Sequence, residues 1–310
     1  MKVKSVLLFF FLYTAIIAQN SQFVEQDLAI NNFVEGTLIT PKDFDNKNLA
    51  IIIGGSGPTD RNGNQNFLKN NSLKKLATAL SQQGIASFRY DKRIVKQIHQ
   101  GRVDKNIMFD DFVTDAISVV KHFKNNGKYK KIYIIGHSQG SLVGILASKN
   151  NVDGIISIAG AGKSIDSVLI DQIEKTAPMF AEDSKRVLSI MRNGKTTNDY
   201  PPALASIFNK DIQLFMMNWM QYDPKEELRK LKIPSLIING TKDLQVSPDE
   251  AKALKEASLN GQLRIIENMN HVLFLIDGDD LENSKSYNES FREISPSLTN
   301  EIVTFIKSYN

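Results

Sequence analysis

The chain of 310 residues contains no cysteine. That absence removes disulfides, thiolate nucleophiles, cysteine-ligated zinc and lipid attachment through cysteine. Histidine is nearly as scarce, with four residues at 99, 122, 137 and 271, and none falls in an H-E-x-x-H or comparable metal-ligand spacing. Neither glycine-rich phosphate motif, G-x-G-x-x-G or G-x-x-x-x-G-K-[ST], is present. No metal and no cofactor are therefore expected. Lys and Arg number 38 against 34 acids, with no basic run interleaved with aromatics, so nucleic acid is not an expected partner. What remains is ordinary globular composition, 42% hydrophobic and 23% charged, long enough to bury a sizeable core.

Lys2 and Lys4 precede an uncharged, mostly apolar run at residues 5–18. The run is short for a membrane span, which needs about 20 residues. A basic start, a short apolar stretch and small residues near its end form the pattern of a secretory signal peptide. Cleavage is expected after Ala18, and an uncleaved N-terminal anchor is the alternative. Loss of residues 1–18 removes two lysines and lowers the formal charge from +4 to +2, too little to steer a substrate strongly. The expected protein is exported, periplasmic or extracellular, without stable membrane insertion after cleavage. The sequence does not disclose its oligomeric state.

Beyond the leader, strand and helix patterns alternate. Short apolar runs at 49–53, 85–90, 132–135, 154–158, 235–239 and 263–266 read as strands. Leu73, Leu76, Ala77 and Leu80 fall at helical spacing, as do Phe109, Phe112, Val113, Ala116, Ile117 and Val120. Helices are also expected at 138–149, at 248–257, opened by a Ser247…Glu250 capping box, and around Leu298, Ile302 and Ile306. This alternation implies parallel strands with helices on both faces. Residues 161–230 break the rhythm with four expected helices, no strand, and five of the eight methionines. They read as an insertion dividing a core of 19–160 and 231–310. Met216, Met217, Trp219 and Met220 sit within it, either forming the insertion's own small core or lining an acyl pocket.

Gly136-His137-Ser138-Gln139-Gly140 follows one strand and opens a helix. A serine on such a sharp turn is strained, and small residues two positions away on each side let the chain double back. Composition alone supplies about 0.08 such pentapeptides per chain. Serine is a weak nucleophile and needs a base. His122 lies opposite an apolar helical stripe, His99 sits in a polar stretch, and His137 is turned away from the hydroxyl by the elbow. Elimination leaves His271, beyond the last strand. Asp243, just past the strand at 235–239, is the orienting carboxylate, with Glu267 as the alternative. The Gln139 amide supplies one oxyanion donor. The loop Gly54-Gly55-Ser56-Gly57-Pro58 supplies a second, from the Ser56 amide or, next, that of Gly55.

The order Ser…Asp…His with an elbow and a helical insertion resembles the α/β-hydrolase superfamily. The stretch from Gly55-Ser56-Gly57-Pro58-Thr59-Asp60-Arg61 to Asn64, together with Tyr90-Asp91-Lys92-Arg93 and Asn239-Gly240-Thr241-Lys242-Asp243, is similar to the serine aminopeptidase-like hydrolases of the S33 clan. That family includes short-chain carboxylesterases. The resemblance implies a mostly parallel eight-stranded sheet flanked by helices, a helical lid after the sixth core strand, and ester hydrolysis without a cofactor. It carries the triad onto Ser138, Asp243 and His271. Two departures stand out: Ile94 replaces the usual glycine, and residues 96–102 lack the usual Gly-x-Ser. Asp60, Arg61, Asp91 and Arg93 read either as an ion-pair network under the oxyanion loop or as separate solvated charges. The functional expectation is a serine hydrolase of short-chain acyl esters, with a small-molecule ester as its partner. The alternatives are an aminopeptidase acting on small peptides, whose substrate amine Glu182 and Asp183 could bind, and a non-catalytic binding protein.

Overall fold

The computed structural model describes residues 22–45 and 47–309, so the expected leader at 1–18 lies outside the described residues. Eight strands form one sheet: β1 (Phe23–Ala29), β2 (Glu35–Pro41), β3 (Asn48–Ile53), β4 (Ala86–Tyr90), β5 (Lys131–His137), β6 (Gly154–Ile158), β7 (Ser235–Gly240) and β8 (Gly261–Ile266). β3 shows why continuous apolar runs become strands here. Leu49, Ile51 and Ile53 enter one core cluster while Ala50 and Ile52 enter the other, the period of two that a strand buried on both faces requires. β1 and β2 have no counterpart in the hydrophobic reading. β1 is an edge strand whose side chains are mostly exposed, and such a strand carries no apolar run to detect.

The strand order is β1-β2-β4-β3-β5-β6-β7-β8. β1 with β2 and β2 with β4 are antiparallel; every other neighbouring pair is parallel. In register, Ile51 faces Ile134 and Ile134 faces Ile155. From β3 the chain steps to β4 on one side and then crosses to β5 on the other. The switch between β3 and β5 is where open α/β sheets place their ligand sites, at the carboxyl ends of the strands.

Helices α1 (Ser72–Gln82) and α12 (Pro296–Ser308) cover one face; α3 (Phe109–Asn125), α4 (Gln139–Ala147) and α10 (Pro248–Ala257) cover the other. The capping box expected at α10 does not form. Ser247 makes no side-chain cap, and the Glu250 carboxylate instead accepts the Gly162 amide at 2.8 Å and pairs with Lys163 at 3.3 Å. A further helix, α2 (Arg93–His99), occupies the polar stretch that had no periodicity. Tertiary contacts create it, because buried Arg93 binds Asp111 and Asp115 of α3, both at 2.7 Å.

Between β6 and β7 the chain leaves the sheet as α5 (Ile165–Thr176), α6 (Ala181–Arg192), α7 (Ala205–Phe208), α8 (Lys210–Trp219) and α9 (Pro224–Arg229). These are five helices where four were expected; α7 is a single turn. They gather Val187, Leu188, Met191 and Phe208 into a separate apolar cluster. The insertion is tied to α3 through Asp110, which accepts hydrogen bonds from Asn218 at 3.0 Å and Tyr222 at 2.6 Å.

Candidate active site

Ser138 stands between β5 and α4 with φ 53° and ψ −123°, a left-handed backbone that a serine rarely adopts. The flanking glycines are required by contact. A Cβ on Gly136 would meet the Gly140 carbonyl oxygen at 2.2 Å, and one on Gly140 would meet the Ile53 carbonyl oxygen at 2.3 Å. The strained turn lifts Ser138 to the carboxyl edge of the sheet, where it lines cavities with Ser56 and His271.

Asp243 and His271 leave the ends of neighbouring strands β7 and β8. His271 Nδ1 donates to Asp243 Oδ2 at 2.8 Å, and the other carboxylate oxygen accepts the amides of Gln245 at 2.8 Å and Val246 at 2.9 Å. The Asp243 side chain is fully buried and His271 nearly so, at 0% and 5% exposure. The Nδ1 donation leaves Nε2 as the ring's basic nitrogen. Ser138 Oγ has no hydrogen-bond partner among the described residues, so the link to His271 is not closed in this conformation; such bonds tighten when substrate binds. Glu267 is exposed and accepts from the Thr241 hydroxyl at 3.3 Å, away from His271. His99 and His122 are exposed.

His137 does structural work that the residue pattern did not disclose. Its Nε2 donates to the His271 carbonyl at 2.8 Å. Burial, then the neighbouring His271, pushes its pKa down to about 4, so the ring stays neutral at ordinary pH. Helix α11 (Asp280–Ser286) braces the same region. Asn283 donates to the Lys242 carbonyl at 2.6 Å, and Asn270 Nδ2 donates to Asn283 at 2.9 Å and Ser286 at 2.8 Å. One buried cluster thus fixes the loops of both Asp243 and His271. Only the completely polar, completely buried character of Asn270, Asn283 and Ser286 marks them, and burial is not visible in sequence.

The loop after β3 passes over the serine: a Cβ on Gly55 would lie 3.2 Å from that of Ser138. Its Ser56 carbonyl accepts from Thr59 at 2.7 Å and Gln65 at 2.8 Å. Lys92 is buried beneath it and donates to the Gly55 carbonyl at 2.5 Å, the Gly57 carbonyl at 3.3 Å and Gln139 Oε1 at 2.5 Å. Burial pushes this ammonium down to about 7, while the three oxygen acceptors around it favour the charged form. The four charges read as one network divide. Arg61 Nε and Nη2 both donate to Asp91 Oδ2, at 2.8 and 2.6 Å, while Asp91 Oδ1 accepts the Arg61 amide at 2.7 Å; Arg93 belongs to Asp111 and Asp115. Asp60 pairs with no cation among the described residues and instead accepts the amides of Asn62 and Asn64, both at 2.8 Å, closing the turn.

Two cavities meet at Ser138. The larger, about 440 Å³, lies under the insertion and is mainly apolar, with Leu142, Val168, Ile212, Phe215, Met216 and Trp219 on its wall. The second, about 360 Å³, holds His271 among polar groups that include Gln65, Asn70, Gln245 and Tyr287. Of the four expected pocket residues, Met216 and Trp219 line the first cavity. Met217 and Met220 pack with the insertion's own cluster. For Met217 the reason is helical phase. Ile212, Phe215, Met216 and Trp219 share one face at i, i+3, i+4, i+7, and Met217 is turned off it by about 100°.

A family model described as serine aminopeptidase, S33, matches residues 70–278, about two thirds of the chain, with Ser138, Asp243 and His271 inside the match. The chain belongs to this family. Among curated proteins, this S33 member is similar to Esterase EstD of Thermotoga maritima, 27% identical over 263 residues. The match covers 83% of this chain but spans only 61% of that protein. Among solved structures it resembles Est1E from Butyrivibrio proteoclasticus, with TM-score 0.58 and 17% identity over 91% of this chain and 99% of that one. It also resembles the Pyrococcus furiosus esterase Pf2001, with TM-score 0.55 and 15% identity over 94% and 91% of the two chains. At those identities the likeness is one of fold, and the S33 member has the α/β-hydrolase fold.

Proposed function

We propose that this S33-family protein hydrolyses carboxylic esters with short, apolar acyl groups through Ser138, His271 and Asp243. The observation that carries the reading is the His271–Asp243 hydrogen bond, made beside a strained serine on the carboxyl edge of the sheet. His271 Nε2 takes the Ser138 proton as Oγ attacks the ester carbonyl, and Asp243 holds the imidazolium that forms. The Ser56 and Gln139 amides receive the developing oxyanion. His271 then returns the proton to the leaving alkoxide, and a water deprotonated by His271 releases the acid. Because the leaving oxygen must reach His271, the alcohol occupies the cavity that contains this histidine. The acyl group then occupies the apolar cavity under α5–α9, which acts as a lid. Export through the N-terminal leader completes the proposal.

Ester is favoured over peptide by the charge of these cavities. A free α-ammonium needs a carboxylate, and neither cavity at Ser138 has an Asp or Glu on its wall. Glu182 and Asp183, the aminopeptidase candidates, pair with Lys185 and Arg186, both at 3.0 Å, on the surface of α6.

Purified protein is expected to cleave p-nitrophenyl acetate or butyrate much faster than aminoacyl-naphthylamides. Ser138→Ala is expected to lower the ester rate by about 10⁴-fold or more. Retention of the rate in Ser138→Ala overturns the assignment, and a preference for aminoacyl substrates transfers it to the aminopeptidase alternative.

A further inference from the structure

Lys92 is a buried cation without a buried anion. Only 4% of the residue is exposed, and it forms no ion pair among the described residues. Its three ammonium protons match three acceptors: the carbonyls of Gly55 and Gly57, on either side of Ser56, and the side chain of Gln139. Its charge also lies 4.7 Å from the centre of the Phe112 ring, a favourable placement for a cation. An unpaired buried charge is expensive, and a neutral side chain packs against Phe112 without that cost.

We propose that Lys92 is a positioning residue that orients and polarises both halves of the oxyanion site. This rests on the hydrolase reading above. The Gly55 carbonyl and the Ser56 N–H belong to one peptide unit, planar and trans, so they point in opposite directions. Holding the carbonyl at 2.5 Å therefore fixes where the amide proton points. A positive charge on the oxygen end draws electron density from the nitrogen and strengthens the N–H as a donor. The contact with Gln139 Oε1 ties the same ammonium to the first residue of α4, whose unpaired amide faces the oxyanion from the other side. One cation thus sets the spacing between two donors, one in the loop after β3 and one at the start of α4.

The test uses Lys92→Met, which keeps the aliphatic stem, and Lys92→Gln, a shorter neutral donor. For p-nitrophenyl butyrate, Lys92→Met is expected to lose about 10- to 100-fold in kcat with KM within about twofold. The rate of fluorophosphonate inactivation, in which serine attack builds negative charge on the phosphoryl oxygen before fluoride leaves, is expected to fall by a similar factor. The melting temperature is expected to stay level or rise, a combination that a merely structural lysine does not produce. Lys92→Gln is expected to lie between Met and wild type. Wild-type kcat in either variant, or a loss of kcat that tracks a fall in melting temperature, overturns the role of Lys92. If instead the wild-type protein neither cleaves the ester nor takes the fluorophosphonate, the hydrolase reading fails and takes the lysine's role with it.

Discussion

Ser138 stands between two unlike halves of one site. On the His271 side the buried ion is an anion, Asp243, which accepts one imidazole and two amide hydrogen bonds. On the α4 side it is a cation, Lys92, which meets carbonyl and amide oxygens and the face of the Phe112 ring. In the proposed mechanism the anion works on a base whose charge changes during the reaction. The cation works on peptide dipoles that stay neutral throughout. Loss of the anion therefore removes a charge the reaction needs, whereas loss of the cation leaves the chemistry intact but less well aimed. The cavities follow the same division, with more polar groups on the wall beside His271 and a mainly apolar wall under the insertion.

Asp243→Asn breaks the comparison most severely. It is expected to lower kcat by about 10³- to 10⁴-fold, because the amide no longer holds the imidazole in its reactive tautomer. Steady-state kinetics with circular dichroism checks this, and a loss smaller than that of Lys92→Met reverses the ranking of the two ions.

His137→Gln sharpens the picture of the anionic side. A histidine held down at about 4 binds its proton in the unfolded chain near pH 6.5 but not in the folded one. The unfolded state takes up more protons between those values, so stability falls as the pH drops through that window. From pH 7 to pH 5 the wild type is expected to lose about 2 kcal/mol through this residue. Urea unfolding at the two pH values should show a smaller loss in His137→Gln, and an equal loss contradicts the burial argument.

The smallest effect is expected on the apolar side. Trp219 stacks on Phe109 at 5.4 Å and closes the cavity wall. Trp219→Ala is expected to raise kcat/KM for octanoyl relative to acetyl esters about tenfold, while the preference among alcohols stays unchanged. A change in alcohol preference alone exchanges the two cavities.

The elbow was legible in the sequence because sterics demand it: Gly136 and Gly140 are needed where backbone meets backbone. His271 was legible because so few histidines compete, and Asp243 because it follows a strongly apolar strand. The parallel core strands were legible for the same reason that β1 was not, since only the former carry a continuous apolar run. Nothing local in Asp91-Lys92-Arg93 reveals that the fold encloses the lysine. The place of Ile212 and Phe215 on a cavity wall emerges only from the phase of α8. The Ser247…Glu250 spacing suggested a local cap, but a more distant amide, that of Gly162, captured the carboxylate.

Reaction with a fluorophosphonate, followed by peptide mass mapping, tests the central claim most directly. The expected result is a single adduct on the peptide containing Ser138, absent from Ser138→Ala. An unlabelled wild-type protein, or an adduct on another residue, contradicts the assignment of Ser138 as the nucleophile.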